Sequence, residues 1–164
     1  MLRLDKLFFD ALTADDELMA LCGYVAPSAS FPAGKPARIK STCFEVAPDK
    51  EDNTPLPYII VTDEGKQPSQ GTKDDEWMPS MWRVGASVEV GGKSPNDVDE
   101  LMMKAMRAIA NYIRTRSNHG DDIPWLNEGY PQTQGTSWDW TKPCYFDVAH
   151  YQADIDYNDD EQEE

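Results

Sequence analysis

What the chain lacks narrows it first. No apolar run in its 164 residues approaches the 18 or so needed to cross a bilayer as a helix. A secretory leader is not expected either, because Asp5 and Asp10 interrupt "MLRLDKLFFDALTADDELM" where a leader's apolar region would lie. Cysteine is scarce: Cys22, Cys43 and Cys144 stand far apart, odd in number, with no Cys-x-x-Cys pair. That spacing indicates neither a zinc ribbon nor a redox pair, and unpaired thiols suit a reducing compartment. The expectation is a soluble, intracellular chain with no metal and no cofactor. Positive charge is scarce too, with 15 Lys plus Arg against 30 Asp plus Glu, a net charge of −15. Nucleic acid and anionic membranes are therefore poor partners, since both are bound by cations. Seven of the acids lie within residues 154–164 with no base among them, and without them the balance is 15 − 23 = −8. Residues 158–164 read as a disordered acidic tail behind a single domain at 1–157.

What is present suffices for a core. Hydrophobic residues make up 40% of the chain, and a domain of this size buries about 70% of the surface its unfolded chain exposes. Leu4, Leu7, Phe8, Ala11 and Leu12 follow helical spacing. Thr13 then stands as the cap of a second short helix, with Asp16 as its capping-box partner and Gly23 as its stop. Residues 24–57 carry six prolines and read as a long surface connection, with one strand available at 37–46. "PYIIVTD" is a strand apolar on both faces, which suits a central, doubly covered position. Residues 64–79 are polar and read as a loop, longer than the usual connection.

The clearest strand follows. Trp82, Val84, Ala86, Val88 and Val90 alternate with Arg83, Gly85, Ser87 and Glu89. An amphipathic helix comes next, with Val98, Leu101, Met102, Ala105, Ile109, Tyr112 and Ile113 on one stripe. Two closing strands are expected at about 132–140 and 144–155, with Thr141-Lys142-Pro143 as the turn. The order ααβββαββ predicts an α+β domain: a mainly antiparallel sheet, the amphipathic helix packed on one face, and short N-terminal helices.

"VEVGGKSPNDVDELMMKAM" has the outline of a phosphate-binding loop, strand–Gly–Lys–Ser–helix. The motif requires a first glycine at position 87, which is Ser87, and Pro95 has no amide to offer. The residues fit a helix start instead: Gly91-Gly92 end the strand, Ser94 caps, Pro95 takes the first position and Asp97 completes the box. Other chemistry is thin. His119 lies beside Asp121 and Asp122, and His150 falls mid-strand. Asp154, Asp156, Asp159 and Asp160 lack EF-hand spacing. Cys144 has no neighbouring histidine in sequence. Trp77, Trp82, Trp125, Trp138 and Trp140 suit either a core or an interface.

The helical "LFFDALTADDELMALCG", the Pro-rich connection, "PLPYIIVTD", the long loop, "WRVGASVEV", "SPNDVDELMMKAMRAIANYI" and the closing hairpin stand in a telling order. With Leu56-Pro57-Tyr58, that order resembles the tail-completion or tail-terminator proteins of long-tailed bacteriophages, over about residues 2–155. The resemblance implies a small structural subunit without an active site. It would assemble with itself as a ring, commonly a hexamer, that caps the tail tube and mediates head–tail joining. Its partners would be tube and head-connector proteins, its place the host cytoplasm during assembly and then the neck of the virion. Within that expectation the 64–79 segment is the docking loop, with Lys66, Lys73, Asp74, Asp75, Trp77 and Trp82 as interface residues. An acidic DNA mimic or another interaction protein of phage origin is the alternative that fits the charge. A small hydrolase using His119 or Cys144 lacks a third group to orient either.

Overall fold

The computed structural model describes residues 3–43, 56–68, 81–118 and 131–156. The elements are α1 (Leu4–Thr13), α2 (Asp16–Leu21), β1 (Ile39–Ser41), β2 (Tyr58–Pro68), β3 (Met81–Gly92), α3 (Pro95–Asn118), β4 (Ser137–Asp139) and β5 (Cys144–Asp156). They form an α+β domain with one five-stranded sheet in the order β1-β2-β3-β5-β4. The β1–β2 pair is parallel and all others are antiparallel. β3 is the central strand, paired along its length with β5 on one side and with β2 on the other.

The alternation read from the sequence decides which face is buried. Val84, Ala86, Val88 and Val90 of β3 point inward, beside Ile59 and Val61 of β2 and Ala149, Tyr151 and Ala153 of β5. α3 lays Val98, Leu101, Met102, Ala105 and Ile109 on this face, in a helix whose 24 residues extend about 36 Å. α1 covers the same face with Leu4, Leu7, Phe8 and Leu12, and Phe8 meets Tyr151 edge to face at 4.6 Å. Both helices therefore stand on one side of the sheet. Ile60, expected beneath a second layer, lies on the opposite side and is half-buried. β2 is thus covered on one face, and it is flanked by β1 only at Ile59–Val61.

Three local readings change. Thr13 closes α1, its hydroxyl bonding back to the Phe9 carbonyl at 2.8 Å, because a threonine inside a helical turn reaches that carbonyl more readily than the next helix. Asp15 is the cap of α2, its carboxylate accepting from the Leu18 amide at 3.0 Å. The loop expected at 64–79 starts later, since β2 continues through Pro68 in register with Trp82. The polar Lys66 and Gln67 pair because β3 offers a regular ladder opposite them. The register shifts once, between Asp63 and Lys66, where Gly65 has φ +86°. This is a bulge: the extra residue takes a left-handed conformation that glycine adopts without strain. Of the strand expected at 37–46, Ile39–Ser41 forms β1 beside Ile59–Val61, and residues 44–46 lie outside the described residues.

The first turn of α1 is tied to β1 and β2 by one carboxylate. Asp5, 1% exposed, accepts from Arg3 at 3.0 and 2.8 Å, from the Lys6 amide at 2.9 Å and from the Thr42 hydroxyl at 2.8 Å. The Thr42 hydroxyl in turn accepts from the Asp63 amide at 2.9 Å. Burial alone would raise the Asp5 carboxyl. The bonds from Arg3 and Thr42, with the Lys6 amide, outweigh it and hold the group below the usual carboxylate range.

Candidate functional site

The face of the sheet that none of the described helices covers gathers much of the polar chemistry. Residues of β2, β3 and β5 that alternate with the core side chains point there, in three clusters. At one end Arg83 of β3 faces Asp154 of β5, 3.4 Å apart. In the middle, His150 of β5, paired with Ser87 of β3, meets Glu64 of β2 across that strand. Its Nδ1 lies 3.0 Å from the Glu64 carboxylate, and its Nε2 lies 2.7 Å from the Gln134 amide. An open cleft of about 350 Å³ adjoins it, lined in part by Gln132, Thr133, Gln134 and Gln152. A histidine oriented by a carboxylate is half of a general-base arrangement. Among the described residues, however, no hydroxyl or thiol is hydrogen-bonded to it.

The third cluster surrounds Tyr58, the residue at the start of β2. Its ring lies flat on Gly91, where an added Cβ would come within 2.0 Å of the ring carbon Cε2. Its hydroxyl donates to Glu89 at 2.6 Å, Lys142 stands 5.2 Å over the ring, and the Cys144 thiol is beside it. Burial first, then the bond to Glu89, pushes the phenol well above its ordinary value. Burial also raises the Cys144 thiol, and it pushes Cys22 up to about 11. Neither is set up as a thiolate nucleophile, which requires a lowered value. The three cysteines are free.

The Gly91-Gly92-Lys93-Ser94 stretch, read from the sequence as a helix start and not as a phosphate loop, joins the end of β3 to α3. Gly91 and Gly92 remain within β3, paired with β5 through Phe146 and Tyr145, so their amides belong to the sheet. Gly91 does not terminate the strand as read from the sequence; it makes room for Tyr58. Ser94 accepts from the Asp97 amide at 3.2 Å and caps α3. Among the described residues no group of three or more His, Cys, Asp and Glu side chains is placed to hold a metal ion. No described helix is long and apolar enough to cross a membrane.

The expected interface residues divide. Trp82 is half-buried and packs against the core rather than standing free. Lys66 is exposed and sits 5.8 Å over the Trp82 ring. Trp77, Lys73, Asp74 and Asp75 lie outside the described residues, as do His119, Asp121, Asp122, Trp125 and the acidic tail.

Two groups of exposed apolar side chains remain, the first of them built on Trp138 and Trp140, whose sequence positions suit either a core or an interface. Trp140, 85% exposed on the β4–β5 turn, meets Trp138 edge to face at 5.7 Å, and Trp138 meets Tyr145 at 4.7 Å. Leu21, the last residue of α2, is exposed, as are Tyr24 and Phe31 on the chain between α2 and β1. Tyr24 and Phe31 carry no sequence signal, since isolated apolar residues in a Pro-rich connection have no period. Neither a protein-family model nor a curated protein matches the chain.

Proposed function

We propose that the chain is a non-catalytic subunit of a long-tailed phage, which closes the end of the tail tube and joins it to the head by assembling as a ring. The observation that carries the reading is the order of elements. Two short helices, the strand from Tyr58, the alternating strand, the long helix and a closing hairpin follow one another around a single sheet. That is the order on which the resemblance to tail-completion proteins rests. The polar face adds support of a second kind. Glu64, Glu89 and Asp154 are partnered by His150, by Tyr58 with Lys142, and by Arg83. Such pairs consolidate a sheet, whereas a DNA mimic would present its acids as an open array.

Native mass spectrometry at several salt concentrations, with electron microscopy of the chain mixed with isolated tail tubes, tests the reading. A closed ring, six copies being the expected number, and added density at one tube end are the expected results. A chain that stays monomeric at every concentration and leaves tubes unchanged sinks the proposal. Removing residues 69–79 addresses the docking segment. The subunit should still fold, since Pro68 and Trp82 already pair, but joining should be lost. Joining that survives the deletion takes the segment out of the reading.

A further inference from the structure

The six large apolar side chains exposed among the described residues form two unlike groups. Met103, Trp138 and Trp140 make the first. Met103 lies one turn along α3 from Asp99, whose carboxylate accepts from Thr136 at 3.0 Å just before β4. It is therefore on the β4 flank of the helix. Leu21, Tyr24 and Phe31 make the second. They adjoin α2, whose Glu17 binds Lys104 on the other flank of α3, and they lead into β1 at the far edge of the sheet. With β1 and β4 the two edge strands of the described sheet, the two groups thus lie toward its opposite sides.

We propose that a second copy of this chain occupies each of these surfaces, the Trp138–Trp140 flank of one copy docking on the Leu21–Tyr24–Phe31 flank of the next. This rests on the ring reading, for which it names the subunit contact. Shape favours it. Leu21 borders an open groove of about 320 Å³, with Leu56, Pro57 and Leu101 as its apolar lining, and Trp140 projects from a tight turn as a single large knob. Charge favours it as well. Residues 22–42 carry three bases, Lys35, Arg38 and Lys40, and no acid, in a chain of net charge −15. The opposite flank carries Asp99 and Asp139, and its one nearby base, Lys142, is turned to Glu89 and the Tyr58 ring. The groove rim is balanced, Asp97 and Glu100 against Lys93 and Lys104.

Strand addition is a weaker alternative. Past Asp63 the outer edge of β2 carries a bulge, Lys66 and Pro68, the features that discourage edge pairing. Because the two surfaces differ and lie apart, their contact is heterologous, and such contacts propagate head to tail until a ring closes.

A mixing experiment tests this. Trp140→Ser and Phe31→Ser each alter an exposed side chain, and thermal melting checks that both variants fold; Tyr24→Ser replaces the second if it does not. Each variant alone should be monomeric under conditions where the wild type assembles. Mixed, they should form a one-to-one heterodimer and nothing larger, because one intact copy of each surface remains. Variants that assemble like the wild type overturn the proposed surfaces and leave the ring reading standing. A mixture that stays monomeric overturns the head-to-tail contact alone. A wild-type chain that is monomeric at its highest soluble concentration overturns both.

Discussion

Asp5 does more for the fold than its place in a short helix suggests. Its carboxylate joins Arg3, the start of α1 and Thr42, and through Thr42 it steadies the Asp63 amide on β2. Because its folded value lies below the unfolded one, near 3.9 for aspartate, its contribution is complete above about pH 4 and is lost as pH falls through the folded value. Asp5→Asn should therefore cost about 1–3 kcal/mol at pH 7, the range for buried polar partners left unmatched. It should also flatten the acid limb of stability against pH, and urea unfolding at pH 7 and at about pH 3 measures both effects. An unchanged acid limb would assign the acid sensitivity to other carboxylates. Gly91 presents the opposite case, a residue needed for what it lacks. Gly91→Ala forces the Tyr58 ring off β3, with a cost at the upper end of the about 1–3 kcal/mol typical of overpacking. Loss of the Tyr58–Glu89 bond should accompany it, seen as a phenol that titrates closer to its ordinary range.

Among the elements, those with strong periods were legible. β3 alternates without a break, and α3 keeps one apolar stripe, so both were read from sequence and both pack as expected. Within α3, Ile109→Ala should cost about 2–5 kcal/mol by opening a cavity. Met103→Ala, at 54% exposed, should change the stability of the monomer by no more than about 0.5 kcal/mol. Equal losses for the two would mean that the stripe is not where it was drawn. The weak elements escaped for physical reasons. β1 is three residues long and depends on side-chain bonds to Asp5 rather than on its own propensity. The far half of β2, Asp63 to Pro68, is poor in β-formers and pairs because β3 lies opposite. The candidate site was legible only in part. Lys66 and Trp82 were singled out and do meet, yet Trp82 belongs to the core edge. Tyr24 and Phe31 gave no signal, because isolated apolar side chains in an irregular segment carry no period.

The whole molecule carries a net charge of −15, and self-repulsion of that size opposes compaction. Raising salt from about 10 to 150 mM shortens the screening length from about 30 to 8 Å. The melting temperature of the dilute monomer should therefore rise over that interval, as scanning calorimetry can determine. A fall would mean that the paired acids of the open face outweigh the unbalanced ones. Length variation bears on the same open sheet. Gly65 is the single extra residue of β2, and the strand keeps its pairing with β3 on both sides of it. A chain shortened by that one residue would keep every inward side chain inward, from Ile59 to Lys66. Shortening by one anywhere between Ile59 and Val61 would instead turn part of the strand inside out. Position 65 is thus where this strand can gain or lose a residue without a change of core. The shortened form would fold with the same interior but present a straighter outer edge, and its cost would appear as aggregation rather than as lost stability.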